Sequence, residues 1–334
     1  MKCLFSTSDI NGPSTVIVHQ MLSYLNKIEG VSIDFFNTDY ENYDVVFFMG
    51  YDPQIEQARL KNKHLKIGVI DVRPSPSLFT KYQSADFILV NGIEMKDWAL
   101  NFCDNIFTYY LYPVLFPAIQ NENHKKNDKI IIGYHGNKVH LTGMYPRITN
   151  ALDHIAEQND IELWAMYNID QLGKWNKGLP ESKKILIKHI PWSNENYFNY
   201  ISKVDIGIVP NLIPEKDLRI NFGSILPAIK KNQKDIFEYT MKFKSTSNAG
   251  RIFVFAQFGI PVISDMFPSA LQLINDTEDS FVCYSTKSWN YALKQLIKSD
   301  NLRKTMGKRL QNRIGTCEFL NQTNEKLIRF IDSI

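Results

Sequence analysis

The chain has 334 residues, of which 44% are hydrophobic and 22% are charged, and its formal net charge is +3. This length exceeds what one hydrophobic core usually organises, so it predicts two domains of ordinary size. The small positive charge argues against a nucleic-acid partner, since proteins of that class carry a strong basic excess. It is compatible with an anionic membrane surface or an anionic ligand.

The four cysteines, Cys3, Cys103, Cys283 and Cys317, stand far apart, and no CxxC spacing occurs. Neither a zinc site nor a redox motif is therefore expected. The first residues carry one lysine and only a brief apolar run, unlike a signal peptide. No apolar stretch approaches the roughly 20 residues that span a bilayer. The expected location is the reducing cytoplasm, where the thiols remain free.

Short apolar runs, separated by amphipathic stretches, fill residues 1–115. Most of these runs are apolar throughout rather than alternating, which is typical of strands buried on both faces of a parallel sheet. The alternation of strand and helix predicts a doubly wound α/β domain. The predicted strands are 2–6, 31–36, 44–49, 66–71, 86–91 and 105–111.

A polar and charged stretch, 116–128, is predicted to be a linker, and the strand–helix pattern then restarts over 129–315. Two such blocks predict two Rossmann-like domains facing a cleft, which is the natural place for a ligand. Residues 211–243 lack a clear pattern and are interpreted as a functional loop or insertion. A helix predicted within 316–334 can pack back on the first domain. The strands predicted in the second block are 129–134, 161–166, 185–190, 205–210, 260–264 and 280–284.

Loops that follow strands are the places to search for chemistry, because doubly wound sheets bind ligands beyond the carboxyl ends of their strands. The strongest candidate is KSTSNAGR (244–251), which precedes an apolar helix predicted over 251–258. Small polar residues favour a helix start, and the exposed N–H groups of a helix start bind phosphate. A capped helix with solvated charges is the structural alternative. The diphosphate-binding candidates are Lys244, Ser247, Asn248, Gly250 and Arg251.

Three segments carry a resemblance to a known family. HIPWSNENYFNYISKVDIGIVP (189–210) resembles the strand–helix–strand stretch ending "aDigl.P" of GT-B glycosyltransferases, particularly the retaining family 4 type (glycosyltransferase group 1). RIFVFAQFGIPVISD (251–265) resembles "NKLLEAMAlGiPVIasd" of that family, and 279–314 is similar to its closing helical stretch. The segments follow in the family's order, whereas the first block, 1–115, is similar to the family's acceptor-side Rossmann-like domain only in rhythm.

The resemblance implies transfer of a sugar from a nucleotide diphosphate sugar to a hydroxyl acceptor, in bacterial surface polysaccharide or glycolipid synthesis. The implied partners are the nucleotide sugar and a glycan or lipid-linked acceptor, with peripheral association at the inner face of the membrane. It implies retention of anomeric configuration without a cofactor or a metal. Two alternatives stay open, a noncatalytic GT-B-like binding subunit and a nucleotide-sugar epimerase. A Rossmann dehydrogenase is disfavoured, because no GxGxxG follows the first strand.

The resemblance also assigns roles in the second block. Arg251 falls where the family has the Lys or Arg that grips the donor diphosphate. The family's two donor-site glutamates correspond to Thr246 and Val254, so the paired-glutamate motif is absent, although Thr246 remains a cleft candidate. A glycine-rich turn in the family binds phosphate, and the comparable positions here are Gly136, Asn137 and Lys138.

His135, beside that turn, is a further candidate for a phosphate or acceptor contact, or it bonds within the turn. In the first block, Gly12 and Ser14 lie where the family has glycines near the donor phosphate, and a simple strand–helix turn explains them equally well. Asp71 ends a strand where the family often has a catalytic His or acidic residue, and it can instead cap its loop. Arg73 can bind an anionic acceptor or pair with Asp71.

Overall fold

The computed structural model describes residues 1–73, 75–116, 129–214, 241–243 and 248–334. The chain divides into two structural units. Among the described residues, the first unit holds 1–116, 248–250 and 316–334, and the second holds 129–214, 241–243 and 251–315.

The first unit is built on six parallel strands in the order β2-β1-β3-β4-β5-β6. Strand β3 is buried along its whole length, as its continuous apolar sequence VVFFM predicts. The strands are β1 (Lys2–Ser6), β2 (Ser32–Phe35), β3 (Val45–Met49), β4 (Lys66–Ile70), β5 (Phe87–Val90) and β6 (Ile106–Thr108). The helices within 1–116 are α1 (Pro13–Leu22), α2 (Ile55–Lys61), α3 (Pro76–Tyr82) and α4 (Lys96–Ala99), with short 3₁₀ turns at Ser23–Lys27, Tyr40–Asn42 and Ile93–Met95.

The second unit repeats this architecture, with six parallel strands in the order β14-β13-β10-β7-β8-β9 and a separate two-stranded antiparallel sheet. The strands of the large sheet are β7 (Ile130–Gly136), β8 (Ile161–Tyr167), β9 (Ile185–Pro191), β10 (Ile206–Val209), β13 (Val262–Asp265) and β14 (Phe281–Cys283), and those of the small sheet are β11 (Leu212–Pro214) and β12 (Met241–Phe243). The helices are α5 (Lys138–Thr142), α6 (Arg147–Ala156), α7 (Ile169–Leu172), α8 (Asn194–Ile201), α9 (Gly250–Gln257), α10 (Pro268–Leu273), α11 (Thr286–Lys298) and α12 (Asp300–Ile314).

The last helix, α13 (Cys317–Ser333), packs within the first unit through a buried polar pair. The Tyr109 hydroxyl donates to Asn324 Oδ1 at 2.8 Å, and Asn324 Nδ2 donates to the Met21 carbonyl oxygen at 3.1 Å. Burial raises the pKa of Tyr109 well above its usual value, so the hydroxyl remains a donor. Because an unpartnered buried amide is costly, this pair fixes where the helix lies.

All twelve predicted sheet strands are present, and the predicted doubly wound α/β class is confirmed. Their bounds differ by a few residues, most at the strand predicted over 105–111, where the regular strand covers Ile106–Thr108 and the Tyr109 N–H still donates to the Val90 carbonyl oxygen at 2.8 Å. Of the predicted linker, residues 117–128 lie outside the described residues, as do 215–240 of the unclear segment. The described ends of that segment form the antiparallel β11–β12 pair.

Each of the four cysteines carries a free thiol, and Cys3 and Cys283 are buried. A search of the described helices finds none that is both long enough and apolar enough to cross a membrane.

Candidate functional site

In the second unit, loops at the carboxyl ends of β7 and β10 meet at Arg251, in the first turn of α9. Arg251 Nη1 donates to the Pro210 carbonyl oxygen at 2.9 Å, directly after β10. A Cβ placed on Gly136, the last residue of β7, would lie 3.1 Å from Arg251 Cδ. The guanidinium lies 5.8 Å from the centre of the Tyr134 ring. The structure therefore brings Arg251 and Gly136, two predicted phosphate-binding residues, together at the ligand-binding edge of a doubly wound sheet.

The electrostatic surroundings of Arg251 favour an anion. The residue is only 8% exposed, and burial lowers the pKa of its guanidinium from the usual value. Over the described ranges, no carboxylate forms an ion pair with it, and its guanidinium contacts the Pro210 carbonyl oxygen and the Tyr134 ring. Arginine nevertheless stays protonated in proteins. A buried charge without a counter-charge is costly, so an incoming anion would be stabilised here.

The turn after β7 requires glycine at position 136. Gly136 has φ +136°, in the left-handed region that side chains rarely adopt. The Asn137 side chain caps α5 by accepting from the Val139 N–H at 3.0 Å, so its oxygen has a structural partner. Lys138 is half-buried, and its Nζ donates to the Leu172 carbonyl oxygen at 2.6 Å. Of the three predicted turn residues, Gly136 is the one whose backbone lies beside Arg251, since a Cβ added to it would come within 3.1 Å of Arg251 Cδ.

His135 lies in the core rather than at an exposed edge. Its Nδ1 is 3.0 Å from the Tyr197 hydroxyl on α8, and its Nε2 is 3.4 Å from the Arg251 carbonyl oxygen. Burial, followed by the nearby Arg251 charge, lowers the pKa of His135 to about 3, so the ring is neutral near pH 7. These contacts support the structural interpretation of His135, as a residue that joins β7 to α8 and α9.

The start of α9 is also packed closely. A Cβ on Gly250 would lie 1.9 Å from the Leu111 carbonyl oxygen, so the lack of a side chain is required by this backbone contact. Asn248 Nδ2 donates to the same carbonyl, and its Oδ1 accepts from the Gly250 N–H at 2.9 Å. This backbone contact gives Gly250 a packing role, and its predicted role in phosphate binding stays a prediction. The other candidates of the segment, Lys244, Thr246 and Ser247, lie outside the described residues.

In the first unit, Asp71 lies at the carboxyl end of β4 and is buried. Its φ of 56° is in the left-handed region, which is uncommon outside glycine. Asp71 Oδ1 accepts from Asn91 Nδ2 at 2.6 Å, and Oδ2 pairs with Arg73 Nη2 at 2.5 Å. Of the two predicted roles for Arg73, the structure contains the pairing with Asp71. Arg73 also reaches the Ser14 hydroxyl at 3.5 Å, which brings three predicted residues together.

Sequence reasoning missed a second polar cluster at this edge. The Ser8 backbone N–H donates to Asp52 Oδ2 at 3.0 Å, and the Thr15 hydroxyl lies 2.6 Å from the Tyr51 hydroxyl. Burial alone would raise the pKa of Asp52, but hydrogen bonds from Ser8 hold it below the usual value. The available signal was position, because Tyr51 and Asp52 follow β3 and Ser8 follows β1.

Gly12 precedes α1, and a Cβ there would lie 2.3 Å from a carboxylate oxygen of Asp9. This contact gives the glycine a local packing role in the turn.

Across the residues that the structure describes, no group of three or more His, Cys, Asp or Glu side chains could hold a metal ion.

No family model matches the chain, and no curated protein matches it. Several solved structures are similar to the chain. A glycosyltransferase from Rickettsia africae is 12% identical, with a TM-score of 0.61 over 100% of this chain and 99% of that one. HepE from Anabaena, in complex with UDP and glucose, is 11% identical, with a TM-score of 0.58 over the whole of both chains.

TarM is 10% identical, with a TM-score of 0.54 over 93% of this chain, which spans only 57% of TarM. At such identities the likeness establishes the fold and nothing finer. The chain therefore has the fold of these proteins, the GT-B fold of two Rossmann-like α/β domains.

Proposed function

We propose that this protein is a glycosyltransferase that moves a sugar from a nucleoside diphosphate sugar to a hydroxyl acceptor. The observation that carries the proposal is the buried Arg251 guanidinium, which has no carboxylate partner among the described residues. It lies at the sheet edge where this fold class binds ligands. Support also comes from HepE, whose structures of the same fold contain UDP and UDP-glucose.

The proposed chemistry asks the second unit to stabilise a leaving group. As the bond between the sugar and the diphosphate breaks, negative charge grows on the departing phosphate oxygen. A guanidinium presents planar, paired N–H donors that match phosphate oxygens. Arg251 is held in advance by the Pro210 carbonyl and lies in a buried environment, so its charge acts strongly and needs little reorganisation. Gly136 keeps the neighbouring turn clear of Arg251.

The first unit takes the acceptor in this proposal, and Asp71 is its catalytic candidate. Asp71 is a buried carboxylate at the end of β4, in a left-handed conformation. Such strained residues cluster at functional sites. Its pairing with Arg73 would either orient the carboxylate toward an acceptor hydroxyl or fix the loop. Substitution of Asp71 separates these roles.

The finer parts of the proposal rest on the resemblance to family 4. They are retention of anomeric configuration, the absence of a cofactor or metal, and work in the cytoplasm at the inner face of the membrane. A glycan or lipid-linked acceptor of a bacterial surface is supported by one similar structure, that of the lipopolysaccharide outer core galactosyltransferase WaaB.

A noncatalytic GT-B-like binding subunit is the second candidate. Val254, which takes the place of one donor-site glutamate of the resembling family, is fully buried in α9, so no carboxylate is available there. Such a subunit would bind the nucleotide without turning over a nucleotide sugar. Conversion of the nucleotide sugar to an isomer would instead indicate an epimerase.

The test is thermal stabilisation by UDP, GDP, ADP, CMP and TDP compounds, compared between the unaltered protein, Arg251→Ala and Arg329→Ala. Arg329 is a matched control, since it is an exposed arginine on α13. A ligand at 100 times its dissociation constant adds about 2.7 kcal/mol to the native state. We expect one diphosphate to stabilise the unaltered protein and the Arg329 variant but not Arg251→Ala. Equal stabilisation of all three proteins, or of none, would overturn the donor-site assignment.

A further inference from the structure

The carboxylate of Asp265, at the carboxyl end of β13, accepts five hydrogen bonds and is fully buried. Arg147 pairs with both of its oxygens, at 2.9 and 3.1 Å. Trp289 Nε1 donates to Oδ1 at 3.1 Å. The backbone N–H groups of Asn211 and Leu212 each donate to Oδ2 at 2.8 Å. One side chain therefore holds the turn that follows β10.

That turn also holds Arg251. The peptide group between Pro210 and Asn211 donates its N–H to Asp265 and accepts from Arg251 Nη1 on its carbonyl oxygen, at 2.9 Å. A peptide group is planar, and its N–H and C=O are fixed relative to each other. Fixing the N–H on the carboxylate therefore fixes the direction of the carbonyl that orients the guanidinium. Hydrogen bonds in such a chain also polarise one another.

The charges of Asp265, Arg147 and Arg251 act on one another along the same chain of contacts. Asp265 is near enough to Arg251 for its negative charge to act on the guanidinium. Arg147, itself only 1% exposed, takes up that charge through its two-oxygen pairing and is anchored further by donating to the Tyr284 carbonyl at 2.7 Å. With Asp265 neutralised in this way, the positive charge of Arg251 remains available to an anion.

We propose that Asp265 is a positioning residue for diphosphate binding by Arg251, and that Arg147 is the counter-charge that keeps Arg251 free for the ligand. The inference rests on the proposed function, because the anion is the diphosphate of the donor. Neither residue touches the ligand in this role. Their effect passes through the Pro210–Asn211 peptide.

A double-mutant cycle tests the connection, with UDP affinity measured by calorimetry. The variants are Asp265→Asn, Arg251→Lys and the two combined. Lysine keeps a charge at position 251 but lacks the planar fork that the carbonyl orients. We expect Asp265→Asn to weaken UDP binding about tenfold when Arg251 is present and less than about twofold in the Arg251→Lys background. The same fold loss in both backgrounds would show that Asp265 has only a structural role.

Trp289→Phe provides a milder variant, because Asp265→Asn leaves Arg147 buried beside a neutral partner. The phenyl ring removes one hydrogen bond to Oδ1 and keeps the ion pair. We expect a weakening of UDP binding by about twofold to threefold with Arg251 and no change with Lys at 251. An equal effect in both backgrounds, or none in either, overturns the inference.

The outcomes also separate this inference from the proposed function. If the unaltered protein binds no nucleoside diphosphate, both fail. If UDP binds and depends on Arg251 while the cycles are additive, the proposed function stands and the positioning role of Asp265 is rejected.

Discussion

Replacing Gly136 with alanine tests the donor site through a single methyl group. The new Cβ would lie 3.0 Å from the Tyr134 hydroxyl and 3.1 Å from Arg251 Cδ, closer than ordinary van der Waals contact. Relief requires a shift of a few tenths of an ångström in the Arg251 side chain. Hydrogen bonds to charged groups contribute about 1.5–3 kcal/mol. Partial loss of the bonds to phosphate should therefore weaken UDP binding by about tenfold.

Gly30→Ala is the matched control for this change. Gly30 also has a positive φ, +74°, but nothing lies within 4 Å of a Cβ placed on it. Both variants should lose stability from backbone strain, measured by urea unfolding, with about 1–2 kcal/mol expected for Gly30→Ala and more for Gly136→Ala, whose new Cβ also crowds its neighbours. Only Gly136→Ala should lose UDP affinity by calorimetry. Unchanged affinity in Gly136→Ala, or an equal loss in Gly30→Ala, would refute the placement of the diphosphate at Arg251.

Two further predictions concern carboxylates. Asp71→Asn should lower the rate of UDP release from the donor sugar by about 100-fold while UDP affinity is unchanged, as expected for a catalytic acid–base group. Asp52→Asn, at the same sheet edge, is the control. Equal rate losses in the two variants would contradict the catalytic role of Asp71. Burial raises the pKa of Asp205 to about 6, so the native state binds the extra proton and stability falls as pH rises from about 4 to 6. Asp205→Asn should therefore raise the unfolding free energy by about 2 kcal/mol at pH 8 and change it little at pH 4, and equal effects at both pH values would count against this.

The sheets could be predicted from the sequence because their signal is local. A parallel strand buried on both faces needs a continuous apolar run, and β3 and β10 show one directly. Strand ends were harder, since pairing depends on a neighbour distant in the chain. The strand predicted over 105–111, for example, is regular only over Ile106–Thr108, although the sequence stays apolar to Leu111 and the Tyr109 N–H still donates to the Val90 carbonyl oxygen of β5.

The residues of the candidate site differ in the same way, between those that a local pattern marks and those whose roles depend on distant contacts. Arg251 and Asp71 could be found because each lies next to a recognisable strand or helix. His135 was ambiguous because a polar side chain in a turn gives no hint of two buried partners, Tyr197 and the Arg251 carbonyl. The sequence predicts Gly250 as a diphosphate-binding residue but gives no sign of its close backbone contact with Leu111, which is far away in the sequence. Contacts between distant segments leave no periodic pattern that local reasoning can use.

The pairing of Arg147 with Asp265 shows why this gap matters for function. The two residues are 118 positions apart, and neither has a motif that marks it. A buried ion pair by itself is weak support for stability, because desolvation offsets much of its attraction. Its place beside Arg251 gives it a different consequence. If Asp265 had no partner, its negative charge would neutralise that of Arg251. The second unit would then lose the unneutralised cation on which anion binding depends. A ligand-binding charge is thus set as much by which neighbours are already paired as by the arginine itself.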